Sequence, residues 1–230
     1  MSPTALAAEG VFLYHAVVPP PDLICPAPHL ILASRSPRRA QLLQEAGYTF
    51  TQMDPPFADP AQPALERGAE DPKALAVELA EAKACSAAAQ PSIQQEDATL
   101  ILGADTIVVA PDGSLLGQPL DRANARQMLN VLQNHVHQVV TGVCLLAPGT
   151  GARVCFADAA SVKLSDPGLA ELEHYLAGDD WRGKAGAYNL SELGFLWKAN
   201  VVGDPSTVVG LPMRMLTQVL LRWGVKPIRR

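Results

Sequence analysis

Three guanidinium groups and two hydroxyls crowd one short stretch of this chain, Ser34-Arg35-Ser36-Pro37-Arg38-Arg39, directly after the apolar run His29-Leu30-Ile31-Leu32-Ala33. A helix start exposes unpaired backbone N–H groups and a partial positive charge. Ser36 has the side chain of an N-cap, and Pro37 has the fixed φ of a first helical residue. The stretch therefore reads as a strand turning into a helix whose N-terminus suits phosphate. The competing reading is a capped surface helix whose arginines only face water. The second group is Asp105, inside Leu100-Ile101-Leu102-Gly103-Ala104-Asp105-Thr106-Ile107-Val108-Val109. An ionised carboxylate among apolar strand residues is costly unless it is paired, hydrogen-bonded or bound to a cation. A metal ligand or a buried base fits. A strand end reaching solvent is the plainer alternative, although the apolar run continues past Thr106.

A third stretch, Gly178-Asp179-Asp180-Trp181-Arg182-Gly183-Lys184, satisfies G-x-x-x-x-G-K. Residue 185 is Ala, so the hydroxyl that holds magnesium in a P-loop is missing, and the preceding residues read as helix where a P-loop needs a strand. A P-loop NTPase is rejected. Lys184 stays of interest because Gly183-Lys184-Ala185-Gly186-Ala187-Tyr188 keeps the side chains around one cation small; a Gly-rich turn with a solvated Lys is the ordinary reading. His15, His29, His135, His137 and His174 form no ligand pattern, and Cys25, Cys85, Cys144 and Cys155 lack the close pairs of zinc or dithiol sites. All but Cys25 sit in apolar surroundings and read as small core residues. There is no G-x-S-x-G elbow.

The elements that must position these groups follow from apolar spacing. Strands are expected over 29–34, 99–110, 136–147 and 153–164, with helices over 37–46, 72–89, 123–134, 167–177 and 211–223. Asp112-Gly113 marks a tight turn into a short strand ending near Gly117. Residues 1–28 contain Pro3, Pro19, Pro20, Pro21, Pro26 and Pro28 and read as a Pro-rich N-terminal extension, leaving 29–230 as one domain. Strands mixed with helices and one hairpin indicate an α/β or α+β fold with a mixed sheet.

Composition limits the function classes. The chain has 230 residues, 48% apolar, enough for a full core. Eighteen Lys and Arg against 23 Asp and Glu leave a net charge of −5, and aromatics are 5%, so no nucleic-acid surface is expected. The longest charge-free run, Gln127 to Ala152, is too polar to cross a membrane. The first basic residue is Arg35, so the N-terminus lacks a secretory or transit pattern, and the scattered cysteines fit a reducing compartment. The reading is a soluble cytoplasmic protein.

LILASRSPRR, Lys83 in ELAEAKA, ILGADTIVV, LGQPLDRANARQML, TGV, GKAGAY and VVGLPM stand in the order found in the Maf family, which the chain resembles over about Leu30 to Arg222. The resemblance implies a two-lobed α/β fold shared with inosine triphosphate pyrophosphatases, with a twisted mixed sheet and a central cleft. It also implies an enzyme that hydrolyses nucleoside triphosphates to monophosphate and pyrophosphate, a divalent metal cofactor (Mg2+ or Mn2+), frequently a homodimer, and an association with septum formation. Its SxSPRR loop falls on Ser34, Ser36, Pro37, Arg38 and Arg39, its catalytic aspartate on Asp105, and its two lysines on Lys83 and Lys184. Asp59 lies where the family often places an acidic residue that joins Asp105 at the metal.

The implied chemistry is attack of water on the α-phosphorus, helped by Asp105, while Arg38, Arg39, Lys83, Lys184 and the helix-start amides stabilise departing pyrophosphate. Two departures stand out. The family's LGKP is LGQP here, so Gln118 replaces a lysine. The dTTP and UTP branch reads GIQG after AGAY, whereas this chain has Asn189-Leu190-Ser191-Glu192, so Ser191 stands where the base-reading Gln is expected. Arg38 and Thr106 match that branch, and Thr106 and Ser191 join the expected substrate contacts. The competing function is a nucleotide-binding regulator of cell division without turnover.

Overall fold

The structure is a computed structural model that describes residues 13–17, 28–57, 71–91, 93, 98–190 and 198–228. Its centre is an eight-stranded mixed sheet. Strand β1 is Leu13–Val17, β2 His29–Ala33, β3 Thr51–Met53, β4 Thr99–Val109, β5 Leu115–Leu116, β6 Val136–Ala147, β7 Ala152–Leu164 and β8 Ala199–Val202. The helices are α1 Pro37–Glu45, α2 Pro72–Ala88, α3 Arg122–Leu132, α4 Leu169–Ala177, α5 Pro205–Val209 and α6 Met213–Arg222. The order across the sheet is β1-β7-β6-β4-β2-β3. β2 pairs with β4 in parallel, and β4, β6 and β7 run antiparallel to one another.

The three long strands run through both halves of the molecule, and their outer partners change halfway. On one edge of β4, β2 pairs with residues Thr99 to Gly103 and β5 takes over at Val108 and Val109. On the far edge of β7, β1 holds the first half and β8 the second. Among the described residues, β4 thus has no strand partner on its β2/β5 edge from Ala104 to Ile107. A parallel neighbour stops, an antiparallel one begins, and the backbone between them faces an opening; such switch points are where α/β sheets bind ligands.

Alternation along the strands sorts side chains to two faces. Ile101 and Ile107 pack under α2 with Ala76, Val77, Ala80 and Ala84. Leu100, Leu102 and Ala104 pack on the other face with Leu43 of α1 and Leu216 and Leu220 of α6. Further along that second face, Val108, Val139 and Val162 meet Met128, Leu129 and Leu132 of α3 and Leu172 and Leu176 of α4. One face therefore carries two separate cores, and the other a single core beneath α2.

The stretch expected to be an irregular extension contains a strand. Leu13–Val17 lies clear of the proline runs and gains its hydrogen-bond partners from the outer edge of β7, which sequence-local reasoning could not supply. The short elements β3, β8 and α5 were likewise absent from the sequence expectation, since three to five residues carry too little periodicity. Cys144 and Cys155 are buried opposite each other on β6 and β7, as core residues, but Cys85 is exposed on α2, which corrects its expected place.

Candidate active site

The turn at Ser34 to Arg39 forms because β2 ends at Ala33 and α1 starts at Pro37, where the missing proline N–H costs nothing. Ser36 caps the helix, its Oγ accepting from the Arg39 backbone N–H at 3.4 Å. Ser34 is buried, and its Oγ accepts from the Ser36 N–H at 3.2 Å and from Arg39 Nη1 at 3.1 Å. The loop is thereby folded back on itself before any ligand arrives.

Arg39 is nine-tenths buried. Its Nε donates to the Gly210 carbonyl at 2.9 Å, Nη1 to the Ala104 carbonyl at 2.9 Å, and Nη2 to Thr106 Oγ1 at 3.0 Å. The guanidinium joins α1, the open edge of β4 and the loop after α5. Sequence reasoning expected substrate contacts from Arg39 and Thr106; in the structure both polar groups are engaged with protein partners.

Asp105 points the opposite way from Thr106, towards α2, where Lys83 Nζ lies 2.6 Å from its Oδ1. Both side chains are only slightly exposed, 11% for Lys83 and 13% for Asp105, so each compensates the other's burial. Lys83 Nζ also sits 5.8 Å from the centre of the Phe57 ring. The close approach of α2 depends on two glycines. A Cβ on Gly142, which is directly opposite Asp105, would lie 2.2 Å from the Ala76 carbonyl, and one on Gly103 would lie 2.3 Å from the Ala80 carbonyl.

The second half of the sheet contributes the Gly183–Tyr188 turn. Gly186 has φ +68°, and a Cβ there would press on Val108 and Leu132, so glycine is required by both conformation and space. The turn is tied by the Gly186 N–H to the Gly117 carbonyl and by Tyr175 Oη to the Ala187 carbonyl. Lys184 is buried. The preceding element is helix α4, consistent with the rejection of a P-loop. Behind the turn, Tyr188 Oη and His137 Nε2 lie 2.8 Å apart. Burial lowers the His137 pKa to about 4 and raises that of Tyr188.

A cleft of about 800 Å3 opens over the unpaired edge of β4. Ser34, Ser36, Arg38, Arg39, Lys83, Asp105, Thr106 and Lys184 all line it, so the guanidinium-rich turn and the strand aspartate share one hollow. Gln118, Asp54, Phe57, Arg182 and Asn189 line it as well and were not picked as site residues. Asp54, which holds Arg35 at 3.3 Å, had only its proximity in sequence to signal it. Asp59 and Ser191 lie outside the described residues. Among the described residues, no three His, Cys, Asp or Glu side chains cluster as a metal cage.

The family model described as Maf-like protein matches residues 29–223. The chain is similar to the dTTP/UTP pyrophosphatase of Koribacter versatilis, with 36% identity over 197 residues, covering 85% of this chain and 95% of that protein. It is similar to the dTTP/UTP pyrophosphatase of Lacticaseibacillus casei, with 37% identity over 194 residues and 84% and 97% coverage. The dTTP/UTP pyrophosphatase of Rhizobium johnstonii is 38% identical over 186 residues, covering 80% of this chain and 87% of its own.

Proposed function

The chain belongs to the Maf-like protein family, and on that footing we propose that it is a nucleoside triphosphate pyrophosphatase, with dTTP and UTP as the first substrates to test. The observation that carries this reading is the Lys83–Asp105 pair at 2.6 Å in the same cleft as the Ser34–Arg39 helix start. A triphosphate chain needs cations and N–H donors at one end and an acid or base at the other, and the cleft offers both.

In this reading the α1 N-terminus, Arg38 and Lys184 bind the triphosphate so that the α-phosphorus faces Asp105. Fixed cations in a partly dry cleft act more strongly than in water. Asp105 orients the attacking water and takes its proton. The bond from that oxygen to the α-phosphorus forms as the bond to the bridging oxygen breaks, leaving nucleoside monophosphate and pyrophosphate. Lys83 keeps the carboxylate aimed. Arg39 shapes the loop instead of touching phosphate. Gln118, where the family has lysine, leaves one charge fewer on the wall.

The donor set fits a divalent cation of the Mg2+ type. Asp54 and Asp105 are the carboxylates lining the cleft among the described residues. Such ions take one or two carboxylates and fill the remaining positions with water and substrate phosphates, with no all-protein cage. Asp105 would hold it. When bound it supplies charge neutralisation of the phosphates and lowers the pKa of water.

The test is pure protein incubated with a panel of nucleoside triphosphates plus magnesium or manganese, measuring pyrophosphate. Release from dTTP and UTP supports the proposal. Folded protein that releases none from any member of the panel overturns it; thermal stabilisation by nucleotide without product would instead favour a regulator.

A further inference from the structure

The second face of the sheet is apolar on either side of the cleft but carries one polar row at its level. Thr106 of β4, Thr141 of β6 and Asp158 of β7 are direct cross-strand partners. The rows flanking them are Ala104, Val143 and Phe156 on one side and Val108 and Val139 on the other. Helix α5 lies over the row and adds Thr207. Both Thr141 and Thr207 are completely buried.

The bonding in this row has only one consistent direction. A hydroxyl has a single proton to donate. Thr141 Oγ1 donates to the Thr207 carbonyl at 2.7 Å. The 3.0 Å contact between Thr106 Oγ1 and Thr141 Oγ1 is therefore donated by Thr106. Thr106 in turn accepts from Arg39 Nη2. Thr207 closes the row by donating its own hydroxyl to Asp158 Oδ2 at 2.5 Å. Arg39 also grips the Ala104 carbonyl. The residues on both sides of Asp105 are thus clamped from one face while its carboxylate projects from the other.

From this we infer that Thr141 is a positioning residue of the proposed reaction: by accepting the Thr106 proton it holds the Arg39–Thr106 clasp that fixes the open β4 edge bearing Asp105. Thr141 touches neither phosphate nor water in this scheme. The inference rests on the pyrophosphatase reading for its effect on turnover, while its effect on β4 does not. It also accounts for two fully buried hydroxyls, Thr141 and Thr207, joined to the part-buried Thr106 and Asp158 in a row whose neighbours are hydrocarbon, an arrangement that sheet stability alone does not call for.

The experiment compares Thr141→Val, which keeps the shape and removes the hydroxyl, with Thr141→Ser, which keeps the hydroxyl. Positional errors of an ångström in an active site cost up to about 100-fold, so the valine variant should lose about 30-fold in kcat with KM within about threefold. The serine variant should recover to within about threefold, because the lost group is the hydroxyl. In parallel, amide hydrogen exchange in a peptide covering 100–109 should speed up in the valine variant and not in the serine variant. Valine turnover within twofold of wild type overturns the proposal, and so does failure of serine to restore it. Where the valine variant does not fold, Thr141→Cys, with a weak donor of similar size, takes its place; a cysteine variant that turns over and exchanges like wild type overturns the proposal. If wild type releases no pyrophosphate from any triphosphate, the functional reading fails separately, and exchange at 100–109 decides the clasp: unchanged rates refute it.

Discussion

The two faces of β4 hold buried polar groups by different means. On the α2 side, an ion pair joins Lys83 and Asp105, and two glycines let the helix come close enough to make it. On the α1 side, a guanidinium and a row of hydroxyls share the work through several directional hydrogen bonds. An ion pair can exchange one partner for a charge on substrate or metal, which keeps each buried group compensated. A network cannot, since each bond fixes a different element. Under the proposed reaction, the contrast separates the group that reacts from the frame that holds it.

Four changes would break or sharpen that contrast. Asp105→Asn should cost about 1,000-fold in turnover, the range expected for loss of a general base, with the circular dichroism spectrum intact. Unchanged turnover would take the reactive role away from the α2 side. Arg39→Leu leaves the Gly210 and Ala104 carbonyls and two hydroxyls without their donor, so it should destabilise by about 4 kcal/mol in urea unfolding, beyond any loss of activity. A change below about 1 kcal/mol would mean that the frame is not held there. Gly142→Ala forces a methyl into the Ala76 carbonyl, and should destabilise by about 3 kcal/mol and lower turnover by pushing Lys83 away from Asp105. Full activity in a destabilised Gly142→Ala protein would show that the ion pair tolerates movement of α2.

The fourth concerns pH. His137 lies on the same face as Thr141 and is buried against Tyr188, and its pKa falls from 6.5 to about 4 through loss of hydration. Between these values the unfolded chain binds a proton that the native chain refuses. Stability should therefore drop as pH falls from 6.5 towards 4 and level off below, by at most about 3 kcal/mol. Urea titrations at successive pH values would show this slope, and His137→Gln should flatten it. An unaltered slope in that variant would assign it to carboxylates elsewhere.

Much of the local structure was legible in residue order. Ser36 and Pro37 announced the start of α1, and β6 has the bounds that its apolar pattern suggested. The ends of α2 and α4 fell within two residues of expectation. The site was legible in its members but not in its bonding. Nothing near Arg39 in the chain signals that its partners are Gly210, Ala104 and Thr106, or that Thr141 and Thr207 lie between two cores. β1 was hidden because an edge strand is stabilised by its neighbour, and its neighbour is more than a hundred residues away.

The longer helices and strands and the tight turns depend on residues within a few positions of one another, so the sequence alone was enough to place them, along with the guanidinium-rich turn and the strand aspartate. Register between distant strands, and how closely α2 approaches the sheet, depend on contacts made only when all layers close together. Those contacts put Lys83 beside Asp105, tied Arg39 to the Gly210 and Ala104 carbonyls, and opened the cleft where β2 gives way to β5. The tertiary structure decided them because burial and pairing energies belong to the packed whole and to no single segment.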